Sequence, residues 1–267
     1  MTNGAGVSPV KVYREFGGQP EEGWQAEHAV AERIRAAVPQ VGVIARNNRG
    51  FMHQVVRHLV REHGVRQFLD VGAGLPHSPN VHEVAQAEDP GARVVYVDRD
   101  PAVVARLDGM GGGTPQGRVA TLVADAREPG SIFGSEAVRD VLDLSQPIGL
   151  LFISVTLFVP DEDDPGGIIA GLAAPLPPGS FFAHNAGTYD YDTPAAPTVA
   201  RLVDAYAAEG MRAFPRSADR TRAFLEGAGL EILAPGIVPS GAWHLPAGDP
   251  RPDPGESCVH AVLARRP

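Results

Sequence analysis

Three acids standing at the ends of apolar runs are the residues whose type and spacing first suggest chemistry. Asp70 closes Phe68-Leu69-Asp70 and opens Asp70-Val71-Gly72-Ala73-Gly74, Asp98 ends Val94-Val95-Tyr96-Val97-Asp98, and Asp125 follows Val123-Ala124. Glycines after a strand let the backbone approach a ligand closely. A carboxylate at the tip of a second strand can accept both hydroxyls of a ribose, and one past a third can accept from the exocyclic amine of adenine. Taken singly, each acid has a plain reading as a turn former or helix cap. Together they point to an adenosine ligand.

A dinucleotide fingerprint would need a third small residue at position 77, which is His77, and Pro76 and Pro79 remove donors that a pyrophosphate would use. An acid at Asp70 would repel a pyrophosphate but suits the cationic amino group of a methionine moiety. The separation of Asp70 from Asp98 is 28 residues, against about 20 in a dinucleotide site. The insertion Leu75 to Pro79 accounts for the excess, with Asn80 and Glu83 as a capping box for the next helix. The reading is therefore S-adenosylmethionine rather than NAD, and an NAD-linked oxidoreductase is the weaker alternative.

Further along, Ser154 to Phe158 follow a fourth apolar run and should line the reaction site. The acidic run Asp161 to Asp164 precedes Pro165 and reads as a solvated face or helix cap rather than a metal site. His184 has the ordinary pKa of a general base near neutral pH and stands with Asn185 at the end of a fifth run, with Tyr189, Asp190 and Tyr191 beyond. A structural histidine is the competing reading, and His82 and Trp243 are weaker candidates for the same wall. There is no serine-hydrolase elbow, zinc-ligand spacing or phosphate-binding P-loop, and no metal is expected.

The elements that must position these groups follow an alternating pattern. Strands are predicted at 67–71, 93–97, 119–123, 148–153 and 179–184, with helices at 80–88, 101–108, 129–141 and 165–174 between them. This is the signature of a parallel sheet covered on both faces. Helices at 197–209 and 217–228 and strands at 230–234 and 257–264 close the chain, and 239–256 reads as a long surface loop. Two amphipathic helices, one from Trp24 to Val38 and one from Ile44 to Gly64, precede the first strand, and residues 1–20 read as an irregular arm. The division expected is an N-terminal arm and helical cap over 1–64 and a cofactor-binding domain over 65–267.

The chain has 267 residues, a net charge of −9 and one lysine, Lys11. That balance argues against nucleic acid. Arg33, Arg35, Arg46, Arg49, Arg57 and Arg61 read as the solvated faces of two helices. Ile148 to Val159 is too short to span a bilayer, the N-terminus has no signal-peptide core, and Cys258 has no second cysteine to pair with. A cytoplasmic setting and a small-molecule substrate are expected, with a homodimer as the candidate assembly and no membrane or nucleic-acid partners.

Beyond these readings, the chain resembles the actinobacterial S-adenosyl methyltransferases known as methyltransferase type 19. The likeness runs through Ala45 to Met52 (ARNNRGFM), Arg66 to Pro76 (RQFLDVGAGLP), Asn80 to Gln86 (NVHEVAQ), Ala92 to Pro101 (ARVVYVDRDP), Leu176 to Ser180 and Pro235 to Val238. It implies a class I, Rossmann-like α/β methyltransferase fold, with a mostly parallel seven-stranded sheet, helices on both faces and an N-terminal helical cap. It also implies S-adenosylmethionine as cofactor, S-adenosylhomocysteine as product, and a cofactor site at Asp70, Gly72, Gly74, Asp98 and Asp125. Ala73, Arg99, Ala126, Ser154 and Asn48 complete that expected site.

Where the family has Tyr-Asp-Tyr-x-x-Gly-Gly-Lys-Asp-Asn-Phe, this chain has Tyr13-Arg14-Glu15-Phe16-Gly17-Gly18-Gln19-Pro20. The family's fifth-strand Ser-His-x-Thr is Ala183-His184-Asn185-Ala186 here. The activity expected is methyl transfer to an O or N nucleophile of a small molecule, in specialised metabolism. His184 is the candidate base, and Tyr13 and Tyr189 are candidate catalytic groups on segments that close the pocket. The alternative is a protein of this fold that binds S-adenosylmethionine or S-adenosylhomocysteine without methylating.

Overall fold

The computed structural model describes residues 7–18, 21–111, 113–244 and 258–267. Its centre is a sheet of β1 (Gln67–Val71), β2 (Arg93–Asp98), β3 (Arg118–Val123), β4 (Gly149–Ile153), β5 (Phe181–Gly187), β6 (Glu231–Ile232), β7 (Val238–Pro239) and β8 (Val259–Arg265). The order is β3-β2-β1-β4-β5-β8-β6, with β7 also on β8. Strands β1 to β5 are parallel, and β8 runs antiparallel to β5.

All seven expected strand positions are filled, and an eighth short strand, β7, follows β6 along the same edge of β8. The β6 pair reaches Arg265 and Ala264 of β8, whereas β7 pairs with Ala261 and His260 farther along the same edge. Pro235 has no N–H to give a ladder, and the Gly236 amide turns back to the Leu233 carbonyl at 2.8 Å. The edge strand therefore breaks into two.

All five residues of β1 are buried, as expected of a strand covered on both faces. Side chains alternate across it. Leu69 and Val71 join Val97, Phe152 and Phe182 in one core, under α6 (Pro129–Phe133), α7 (Glu136–Val141), α8 (Pro165–Ala173) and α10 (Ala218–Gly227). Phe68 joins Tyr96, Leu151 and Ala183 in the other, under α3 (Val41–His63) and α4 (Val81–Glu88). The single helix predicted over 129–141 is two, because Gly134 closes α6 and Ser135, in extended backbone, caps α7 by accepting from the Val138 amide.

A third, smaller core lies among α1 (Pro9–Phe16), α2 (Gln25–Ala37), the first half of α3 and α9 (Thr198–Ala208), with Phe16, Ile34, Ile44, Leu202 and Tyr206 inside it. The irregular arm expected over 1–20 is thus partly helical. Ser8 precedes Pro9 at the first helical turn, where a missing N–H costs nothing, and Val12 and Phe16 lie buried one turn apart. Helix α5 (Pro101–Asp108) completes the cover beside β2 and β3. No helix among the described residues is long and apolar enough to cross a membrane. Most of the expected loop 239–256 lies outside the described residues.

Candidate functional site

The turn after β1 is held open by geometry that only glycine satisfies. Gly72 has φ +76° and Gly74 +68°, and a Cβ on Gly72 would lie 2.4 Å from Val155 Cγ2. The amides of Gly72 and Ala73 donate to the Val97 carbonyl at 2.8 and 3.1 Å, and the Gly74 amide donates to Asp98 Oδ2 at 2.9 Å. The Asp100 amide donates to Asp98 Oδ1 at 3.0 Å. The turn and the Asp98 carboxylate are thereby fixed as one unit. Burial raises the pKa of Asp98, and these two amides oppose the shift.

Asp70 points to the α3 side of the sheet, the face shared by Phe68 and Tyr96. It is buried, and no described residue donates a hydrogen bond to it. Burial pushes its pKa up to about 7, the neighbouring Asp98 adds to the rise, and Arg49 opposes it. A buried carboxylate lacking donors is incomplete, and a cation with N–H groups would complete it.

Arg49 departs from the solvated role its sequence pattern suggested. Its guanidinium is half-buried, donates to the carbonyls of His77 and Pro79, and fastens the Leu75–Pro79 insertion to α3. Its Nε has no partner. Arg33 and Arg61 do lie at the surface, paired with Glu209 and Glu88. The capping box predicted for α4 is present, and the Asn80 amide donates to Glu83 Oε2 at 2.6 Å.

Beside Asp70, three residues from distant parts of the chain form a polar cluster. The Asn48 Nδ2 donates to Ser154 Oγ at 3.3 Å, the Asn185 Nδ2 to Asn48 Oδ1 at 3.3 Å, and the Ser154 amide to Asn185 Oδ1 at 2.6 Å. Ser154 sits at φ +60°. The Tyr13 hydroxyl faces this cluster from α1. Burial raises its pKa, and Asn48, Arg49 and Ser154 oppose the rise. A cavity of about 40 Å³ begins at Tyr13, Asn48 and Ser154 and runs between α3 and α9. A larger open groove of about 420 Å³, near Arg93 and Arg139, lies at the amino-terminal ends of the strands, away from these acids.

The family model described as S-adenosyl methyltransferase matches residues 7–267. The chain belongs to the S-adenosyl methyltransferase family. It is similar to a DUF574 family protein from Streptomyces avermitilis, with 37% identity, 98% of each chain covered and a TM-score of 0.88. A methyltransferase-type protein from Thermobifida fusca YX has 28% identity over 97% of this chain and 95% of its own, with a TM-score of 0.86. Human N-acetylserotonin methyltransferase, solved in complex with S-adenosylmethionine, shares the fold at 16% identity and a TM-score of 0.52, over 95% of this chain and 62% of its own. No curated protein matches. The family assignment makes the chain an S-adenosylmethionine-dependent methyltransferase.

Within this methyltransferase, the residues singled out in the sequence do not all meet. Asp70, Gly72, Ala73, Gly74, Asp98, Asn48, Ser154 and Tyr13 lie together at the carboxyl ends of β1, β2 and β4. Asp125 stands past β3 with its carboxylate held by Arg127 at 2.6 Å, and that cation keeps its pKa low. Arg127 also reaches Asp163 at 3.3 Å, which ties the acidic run to the same edge. Asp164 caps α8 through the Gly167 amide at 3.0 Å. Arg99 is exposed, and Ala126 packs against the neighbouring core.

His184 lies on the other face of the sheet. Its Nε2 meets Thr156 Oγ1 at 3.0 Å, its Nδ1 has no partner, and burial pushes its pKa down to about 3, with His260 and Arg216 adding to the fall. Successive strand residues point oppositely, so Asn185, not His184, faces Asn48 and Ser154. Tyr189 is 46% exposed and is not part of the cavity wall. His82 is engaged with the Tyr96 hydroxyl at 2.9 Å, and Trp243 packs edge-on against Phe51.

Proposed function

We propose that this methyltransferase binds its cofactor across the carboxyl ends of β1 to β3 and transfers the methyl group to an O or N atom of a small molecule held in the cavity beside Ser154. The observation that carries the reading is the adjacency of two unlike sites. A donor-free buried carboxylate, Asp70, stands next to a closed cavity whose polar end is Asn48, Ser154 and Tyr13.

The residues present fit the cofactor. Asp70 would accept from the amino group of its methionine part, Asp98 from the ribose, and Asp125 from the adenine, while Gly72 lets the turn between Asp70 and Asp98 take its left-handed form against Val155. When bound, the cofactor would supply a sulfonium methyl, with the electron pair of the broken carbon–sulfur bond left on sulfur, the acceptor's own lone pair making the new bond, and the acceptor's proton released to bulk water as product leaves.

The chain's own contribution is alignment and dryness. Asn48, Asn185 and Ser154 fix one another, so an acceptor placed against them meets a preset floor. The segment before β1 acts in this proposal as a cap, with Val10 of α1 closing on the glycine turn near Gly74 and Arg14 donating to the Pro76 carbonyl at 2.6 Å. Holding two reactants in line is worth several orders of magnitude in rate by itself, and no base within the cavity is required. The proposal places the acceptor in specialised metabolism and the protein in the cytoplasm.

Calorimetric titration with S-adenosylmethionine, S-adenosylhomocysteine and NAD tests the cofactor site. Binding of the first two, weakened at least tenfold by Asp98→Ala, is the expected result. Binding of NAD alone would overturn it.

A further inference from the structure

Among the described residues, every one that lines the cavity is uncharged. Four of its walls are aromatic, Tyr13, Phe16, Phe158 and Tyr206, and Phe158 meets Tyr206 edge to face at 6.0 Å between centroids. The remaining wall is largely aliphatic, with Ile44 and Leu202 among it. Two of the chain's five tyrosines meet here, and they add hydroxyls to that of Ser154 in an otherwise largely apolar lining.

We propose that the acceptor is a neutral aromatic molecule carrying a hydroxyl group, with its ring among Phe16, Phe158 and Tyr206 and its oxygen at Tyr13, Asn48 and Ser154. This rests on the methyl-transfer reading above and names the acceptor class for that same site. A carboxylate or ammonium seated among Phe16, Phe158 and Tyr206 would leave water without a counter-charge in the lining around it, which disfavours it strongly. An aromatic ring gains edge-to-face contacts on several sides. One hydroxyl can accept from the Tyr13 O–H and donate to Asn48 or Ser154. Burial keeps both tyrosines protonated at neutral pH, Tyr206 further so beside Tyr13.

The volume, about 40 Å³, holds a few waters rather than a ring. The acceptor therefore enters by parting α1 from α9, the two helices that contribute most of the aromatic wall. The uncharged lining sets what is admitted once they part.

The test uses 2-naphthol as a fluorescent probe, with 2-naphthoate and 2-naphthylmethylammonium as charged counterparts of similar shape. Each is titrated into the full chain with and without saturating S-adenosylhomocysteine, whose own affinity is measured separately. Naphthol binding at least tenfold tighter than either ion is expected. Val203→Glu, which places a charge in the wall, should abolish naphthol binding and leave S-adenosylhomocysteine affinity within twofold. Ala213→Leu, which fills the same space without charge, gives a second check if the glutamate variant does not fold.

Equal or tighter binding of an ion, absence of naphthol binding, or naphthol binding untouched by a folded wall variant would each overturn the acceptor class. Failure of S-adenosylhomocysteine to bind would instead remove the cofactor reading. The naphthol series without it still decides the chemistry of the cavity.

Discussion

Asn185 holds Ser154 in a left-handed backbone conformation: its side-chain oxygen accepts from the Ser154 amide at 2.6 Å while Ser154 sits at φ +60°. Such a conformation costs a non-glycine residue on the order of 1–3 kcal/mol and persists where surrounding contacts enforce it. Here Asn185 supplies one contact and Asn48 a second, through its 3.3 Å bond to Ser154 Oγ.

Asn185→Ala should release that constraint. It leaves the Ser154 amide and Asn48 Oδ1 without their partner in a buried place, a loss of about 1–3 kcal/mol. The expected outcome is a lower Tm with kcat reduced more than cofactor affinity. Asn185→Asp, which keeps the acceptor, should recover more of the stability than of the rate, because it puts a charge beside the acceptor site. Thermal unfolding together with cofactor titration separates the two effects.

Gly72→Ala meets two penalties at once. The left-handed backbone disfavours a Cβ by about 1–2 kcal/mol, and the new methyl would lie 2.4 Å from Val155 Cγ2. Cofactor affinity and stability should both fall. Removing the clash with Val155→Ala should restore part of each but not the backbone share. A double-mutant cycle reads this directly, and a strictly additive result would show that the two positions do not touch.

The parts of this site legible in the sequence are those made locally. A strand running into Asp70-Val71-Gly72-Ala73-Gly74 carries its own turn, and the Asn80 and Glu83 cap is fixed by three residues of spacing. Asn48, Ser154 and Asn185 are another matter, since 106 and 31 residues separate the bonded pairs. Their meeting depends on β4 and β5 lying side by side and on where α3 crosses them.

At His184 and Asn185 the sequence offered two polar neighbours on one strand. Alternation lets only one face Asn48 and Ser154, and that one is Asn185, whereas the histidine's familiar chemistry draws attention to its neighbour on the opposite face. Arg49 was hidden differently. Its helical pattern matches an exposed face, and only the Leu75–Pro79 insertion folding over it turns it inward. The first helix is hard to read although Ser8 and Pro9 carry a start signal, because its apolar partners lie on α2 and α3.

Asp70 should make cofactor binding proton-linked. Its pKa near 7 means that much of the population is protonated at pH 6, whereas a bound ammonium favours the carboxylate. Binding then releases a proton below about pH 7, and the apparent affinity rises with pH. Calorimetry in buffers of different ionisation enthalpy measures the release, and Asp70→Asn should abolish it. In the free protein the sign for stability follows the raised pKa. The contribution is fully present below about pH 4, where the unfolded carboxyl is also protonated, and is lost as pH rises to about 7.

His184→Gln distinguishes a buried structural histidine from a catalytic base. With its pKa at about 3, the ring is neutral in the folded protein at every ordinary pH, and its Nε2 is engaged with Thr156. Protonation occurs first in the unfolded chain, near pH 6.5. Its contribution to stability is therefore present above that value and is lost as pH falls toward 3, opposite in sign to that of Asp70. The glutamine variant, which can still bond Thr156, should flatten this acid limb and leave the pH profile of kcat between 6 and 8 unchanged. A tenfold or larger fall in kcat with loss of the acidic limb of that profile, at unchanged cofactor affinity, would instead place the imidazole in the proton transfer and require the fifth strand to turn its other face to the acceptor.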